Sequence, residues 1–138
     1  QFRLHRIGIA CWAWPDVHNA LTSAAQFGPD DLAVGISHSG RVRETIEVLE
    51  LARARGATTV ALTGDPKSPL AQAADLVLAA HAPGTTTIGA PDDALAGRYS
   101  QMFLLDVVYT RLAQLNHGET VTRLESTARA VDSHRLAD

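Results

Sequence analysis

The stretch GISHSGRVRETIE at residues 35–47 decides how this chain is read. It follows a short apolar run, Asp31-Leu32-Ala33-Val34, that suits a strand. It leads into Val42, Ile46, Leu49 and Ala52, which fall at i, i+4, i+7 and i+10 on one face of a helix. Ser37, His38, Ser39 and Gly40 therefore stand where a strand hands over to a helix. Three chemistries compete for that turn: a cradle for an anion, a serine nucleophile, and a plain helix cap.

Each has its own requirement. A cradle uses the free N–H groups and the positive dipole end of the first helical turn, which attract an anion. Ser37 and Ser39 would add hydroxyl donors, Gly40 a close backbone approach, and Arg41 and Arg43 positive charge. A nucleophile would use Gly35-Ile36-Ser37-His38-Ser39 as a G-x-S-x-G elbow, but serine stands where the second glycine belongs. Its partners would be Asp75 or Asp106 as acid and His117 or His134 as base. A cap needs only Ser39 accepting from the first helical amides. Glu44 can be a general base beside a sugar or simply an acid in the first turn.

Working outward, further apolar and β-branched runs predict strands at 7–12, 58–63 (TTVALT) and 75–79, beside the one at 31–36. Helices are expected at 17–27, capped by Asp16 and closed by Gly28, and at 41–55, closed by Gly56. A short helix should start at Ser68-Pro69 and run to Ala74, followed by a Gly/Pro/Thr-rich loop at 81–93. Helices at 95–115 and 119–134 follow, separated by Asn116-His117-Gly118; the last places Val121, Leu124, Ala128 and Val131 on one stripe. Strands alternating with helices imply an α/β fold: a three-layer αβα sandwich on an open, mainly parallel sheet, with C-terminal helices.

Composition bounds the rest. The 138 residues make one domain, 46% hydrophobic and 20% charged, with no apolar run near the ~20 residues that span a membrane. One cysteine, Cys11, excludes an internal disulfide and suits a reducing cytosol. The net charge of −3 argues against nucleic-acid binding by this chain itself. The histidines and Cys11 lack metal-ligand spacing, so neither metal nor cofactor is expected. Asp106, inside an otherwise apolar helix, needs a partner if buried. Arg123, Arg129 and Arg135 alternate with Glu125 and Asp132 as a solvated face. Trp12 and Trp14 are expected to pack, or in the case of Trp14 to wall a pocket.

The combination of SHSG with GATTVALTGDPKSPLAQAADLVL resembles the SIS (sugar isomerase) domain. With GRYSQMFLLDVVYTRLAQ as its long helix, the chain is most similar to the C-terminal SIS domain of RpiR-type bacterial transcription regulators. The resemblance implies a five-stranded parallel, flavodoxin-like sheet and a dimer that binds a phosphorylated sugar or related small anionic metabolite. It maps the family's phosphate-holding S-x-S-G-x-T stretch onto Ser37, His38, Ser39, Gly40, Arg41 and Val42, with valine in place of threonine. It also implies that the family's first strand and its serine loop are missing from this sequence, and that a helix-turn-helix domain precedes it in a longer protein. DNA would be reached only through that domain. The expected function is a cytoplasmic, non-catalytic effector domain; a sugar-phosphate isomerase and a dimerisation unit with a degenerate pocket are the alternatives.

Overall fold

The computed structural model describes residues 1–80, 95–132 and 134, so the loop expected at 81–93 lies outside the described residues. In chain order the elements are helix α1 (Phe2–Arg6), α2 (Val17–Ala24), strand β1 (Leu32–Ile36), α3 (Arg43–Ala54), β2 (Thr58–Thr63) and α4 (Pro69–Ala73). Strand β3 (Leu76–Ala79), α5 (Leu95–Leu115) and α6 (His117–Asp132) complete them. Two compact units share them: residues 14–104, and residues 1–13 with 105–138.

The first unit is the sheet with its helices. The strands run parallel in the order β1-β2-β3, with Val34 opposite Val60 and Leu62 opposite Leu78. Ala33 and Ala61 line one face and meet Leu49 and Ala52 of α3, Leu70 of α4 and Ala24 of α2. Alanines on the strands let the helices approach closely. Leu49, Leu62 and Leu70 are fully buried and supply much of the apolar transfer energy. The other face of β1 carries Leu32, Val34 and Ile36, exposed by 59%, 47% and 49%. Parallel sheets normally bury both faces, and β1 has no strand beyond it among the described residues.

Local signals explain most boundaries. Asp16 caps α2 by accepting from Asn19 N–H at 2.9 Å. Ser68 caps α4 by accepting from Ala71 N–H at 3.3 Å, and Pro69 is its first residue. Gly56 has the left-handed φ of +95° that ends α3.

Four expectations need correction. Residues 7–12 form no strand: Gly8, at φ +85°, turns the chain just after α1. The N–H groups of Gly8 and Ile9 return to His5 and Leu4 carbonyls, which removes them from any ladder. The α2 helix stops at Ala24 instead of residue 27, because Gln26 and Phe27 N–H groups bond three residues back in a tighter turn. Asn116 alone separates α5 from α6; His117 and Gly118 are helical, with Thr120 N–H already donating to the Asn116 carbonyl. Three strands, not five, are present among the described residues.

In the second unit α1 packs against α6, and Arg6 Nε donates to Thr127 Oγ1 at 3.3 Å. Arg3 pairs with Asp106 and stacks over the Tyr109 ring, 4.2 Å from its centroid. Asp106 is exposed, which removes the need for a buried partner. Arg123 and Arg129 pair with Glu119 and Glu125 one turn away, as a solvated face should. Val121 and Val131 of the α6 stripe stay largely exposed.

Candidate anion-binding turn

The turn after β1 is built by its neighbours. Ser37 N–H still bonds the Leu62 carbonyl of β2, which extends the ladder one residue beyond Ile36. The chain then reverses at Gly40, whose φ of +63° favours glycine. Gly40 N–H donates to both the carbonyl and the hydroxyl oxygen of Ser37, each at 3.1 Å. Its own carbonyl accepts from Leu70 N–H at 3.0 Å. A Cβ at Gly40 would lie 2.1 Å from Ser68 Oγ, so the turn also packs too closely for a side chain there.

Two hydroxyls that the sequence did not single out for the site support it from below. Thr63, the last residue of β2, donates from Oγ1 to the His38 carbonyl at 3.3 Å and lies 3.4 Å from Ser68 Oγ. Gly64 N–H donates to the same His38 carbonyl at 2.9 Å. Both Thr63 and Ser68 are fully buried. A parallel β1–β2 pair brings their carboxyl ends together, where open α/β sheets place ligands; that is the signal that points to Thr63.

The six expected site residues separate into two groups. Ser37 and Gly40 are buried and bonded to each other, and so form the turn itself. Gly40 N–H is occupied by these two bonds within the turn. His38 and Ser39 are half-buried, while Arg41 and Val42 lie toward the surface. Ser39 Oγ accepts from Arg41 N–H at 3.3 Å, a local turn bond. Arg41 is 4.0 Å from Asp65 and keeps most of its surface.

The cap reading can now be judged. Val42 is the N-cap of α3, and it offers no side-chain acceptor. Unlike α2 and α4, α3 opens with its first-turn N–H groups free of any side-chain cap. Threonine at position 42 would have carried a hydroxyl there. Ser39 is therefore not the cap of α3, and the dipole end beside it stays available to an anion. Arg43 is paired with Glu47 at 2.8 Å, and Glu44 is exposed in the first turn.

The nucleophile reading finds no such support. Ser37 Oγ is spent on Gly40, and among the described residues neither serine bonds a histidine. Asp75 sits just before β3, at the amino end of the sheet and away from the turn. There its carboxylate accepts from Thr59 N–H and Oγ1 at 2.9 and 2.7 Å, and pairs with Arg53 at 3.0 Å. The Thr59 hydrogen bonds, with help from Arg53, hold its pKa below the usual carboxylate range. Asp106, His117 and His134 lie in the other unit. Among the described residues no group of three or more His, Cys, Asp or Glu is placed to hold a metal ion. No described helix is long and apolar enough to cross a membrane.

Comparison with known proteins adds an independent line. The SIS domain model matches residues 6–111. An HTH-type transcriptional regulator of Caldanaerobacter subterraneus subsp. tengcongensis is 34% identical over 136 residues, covering 99% of this chain and 47% of that protein. The HTH-type transcriptional regulator RpiR of Escherichia coli K12 is 33% identical over 132 residues, covering 96% and 44%. The chain thus spans about half the length of the curated relatives it matches. Among solved structures, the Vibrio vulnificus NanR protein complexed with ManNAc-6P superposes with a TM-score of 0.85 at 31% identity, covering 99% of this chain and 50% of that one. The sugar isomerase domain of an RpiR transcription factor from Sphaerobacter thermophilus gives 0.74 at 25% identity, covering 93% and 68%.

Proposed function

Because this chain belongs to the SIS domain family, we propose that it is the effector-binding part of a bacterial transcription regulator and that its ligand is a phosphorylated sugar. The observation that carries this reading is the start of α3, which has no side-chain cap, beside the half-buried Ser39. A phosphate placed there would take hydrogen bonds from the first-turn N–H groups and from Ser39, with Arg41 adding charge. His38 and Val42 complete the set of six, and Ser37 with Gly40 shapes the turn. The NanR structure, which holds ManNAc-6P in a similar fold, makes N-acetylmannosamine 6-phosphate a first compound to try.

Regulation, not catalysis, is the proposed role. The relatives are HTH-type regulators, and DNA would be contacted by a helix-turn-helix domain elsewhere in a longer protein, in the cytoplasm. Self-association is proposed through α5, where Tyr99, Met102 and Phe103 are 67%, 62% and 71% exposed. We also propose that a further strand pairs with the edge of β1, which has no partner strand among the described residues.

Calorimetric titration with a set of aldose and ketose phosphates, followed by NMR of the recovered sugar, tests the reading. Binding with the sugar returned unchanged supports an effector domain. Conversion of aldose phosphate to ketose phosphate at a catalytic rate would make the chain an isomerase and overturn the regulatory reading. No heat from any member of the set would remove the phosphosugar itself.

A further inference from the structure

His38 lies in the middle of the turn, yet its ring is held between two backbones. A Cβ at Gly97, in the first turn of α5, would lie 2.3 Å from the ring's Cε1 and 2.7 Å from both ring nitrogens. A Cβ at Gly64, just beyond β2, would lie 2.7 Å from Cε1 and 2.8 Å from Nδ1. The ring fills a slot that exists only because both walls lack side chains. Glycine is a poor helix former, and the His38 ring supplies the packing reason for having one at position 97. The main chain of His38 is meanwhile fastened to β2 by Gly64 N–H and Thr63 Oγ1.

The junction is polar and under-bonded. His38 Nδ1 is buried without a partner, and so is Nε2 of Gln101, one helical turn beyond Gly97 on the same face of α5. Among the described residues these are the two buried side-chain polar atoms in that state. Unpaired buried polar atoms weaken the packing around them, so the seat of His38 against α5 is set by fit and not locked by hydrogen bonds.

We infer that His38 is a positioning residue that ties the anion turn to α5. A shift of the ring moves the backbone of the turn, and a change in the turn is felt at Gly97. What occupies the turn rests on the phosphosugar reading above; the tie itself does not.

Residue-resolved amide hydrogen exchange on the 138-residue chain tests it with four proteins: the natural chain, His38→Ala, Gly97→Ala and the double variant. Gly97→Ala pushes the ring out of its slot, and the Gly40 and Gly64 amides, both hydrogen-bonded within or to the turn, should exchange roughly tenfold faster. In the His38→Ala background the same substitution should leave those amides as they were, because there is no ring to displace. Equal effects in both backgrounds, or none in either, overturn the tie. Alanine favours the helix over glycine, so the variant should fold. If it does not, His38→Ala alone decides: loss of protection at the amides of α5 around Gln101 is expected, and unchanged exchange there overturns the tie. N-acetylmannosamine 6-phosphate is then added to the natural chain and to Gly97→Ala, whose substitution lies outside the binding set. Protection should rise at the turn in both but at α5 only in the natural chain. A response confined to the turn in both overturns the signalling part. No response to any sugar phosphate defeats the phosphosugar reading, while the four-protein comparison still decides the tie.

Discussion

Gly40 N–H donates to the carbonyl and the hydroxyl oxygen of Ser37, both at 3.1 Å, and the two residues close the turn on themselves. Ser39, two residues along, is half-buried, and its Oγ accepts from the Arg41 amide at 3.3 Å. The two serines therefore separate by experiment. Ser37→Ala should cost about 1 kcal/mol of folding stability, since it deletes a buried hydrogen bond. Ser39→Ala should change stability by less than about 0.5 kcal/mol. It should nevertheless weaken phosphosugar binding by roughly tenfold or more, the usual value of a hydrogen bond to a charged group. Urea unfolding and calorimetric titration of both variants check the pair.

Gly40 is held by conformation and by space together. Its φ of +63° costs an L side chain about 1–2 kcal/mol, and the new Cβ would overlap Ser68 Oγ. Gly40→Ala should destabilise the chain by more than about 2 kcal/mol in urea unfolding. Adding Ser68→Gly should recover only part of that loss, because the strained backbone remains and the cap of α4 is gone.

Asp75 gives a pH dependence with a definite sign. Thr59 and Arg53 lower its carboxyl pKa in the folded chain below the ordinary 3.8. The stabilisation is fully present above that value and is lost as pH falls through the lowered folded pKa. Urea midpoints of the natural chain and of Asp75→Asn should therefore differ at pH 5. The two should converge as the pH is taken well below 3.8. A difference that stays constant with pH would mean the carboxylate charge adds nothing.

The exposed aromatic patch on α5 predicts association. If Phe103, 71% exposed, is covered by a second copy, Phe103→Glu should shift the sedimentation profile toward monomer without lowering the melting temperature of the monomer. A natural chain that is already monomeric at high concentration would contradict association through this face.

Much of the sheet unit was legible because its physics is local. The β-branched TTVALT run, the Ser68-Pro69 start of α4 and the Gly56 stop of α3 each act within a few residues, and each appears where the residues place it. The run at 7–12 has the composition of a strand, but one left-handed glycine after α1 turned its amides back on the helix. The turn stood out as a candidate anion site by residue type, and the orientation of its side chains was not legible. Ser37 and Ser39 are chemically identical in the sequence, and only the geometry at Gly40 decides which faces in. Thr63 and Gly97 meet His38 from 25 and 59 positions away, because of strand register and helix placement.

The most direct measurement is the melting temperature of this chain with sugar phosphates, each paired with its unphosphorylated parent, for the natural protein and for Ser39→Ala. A ligand that binds only the folded state stabilises it by about 2.7 kcal/mol at a hundred times its dissociation constant. The expected result is a clear rise with one phosphosugar, none with its parent, and loss of the rise in Ser39→Ala. An equal rise with the parent sugar, or a rise untouched by Ser39→Ala, would contradict phosphate binding at the turn before α3.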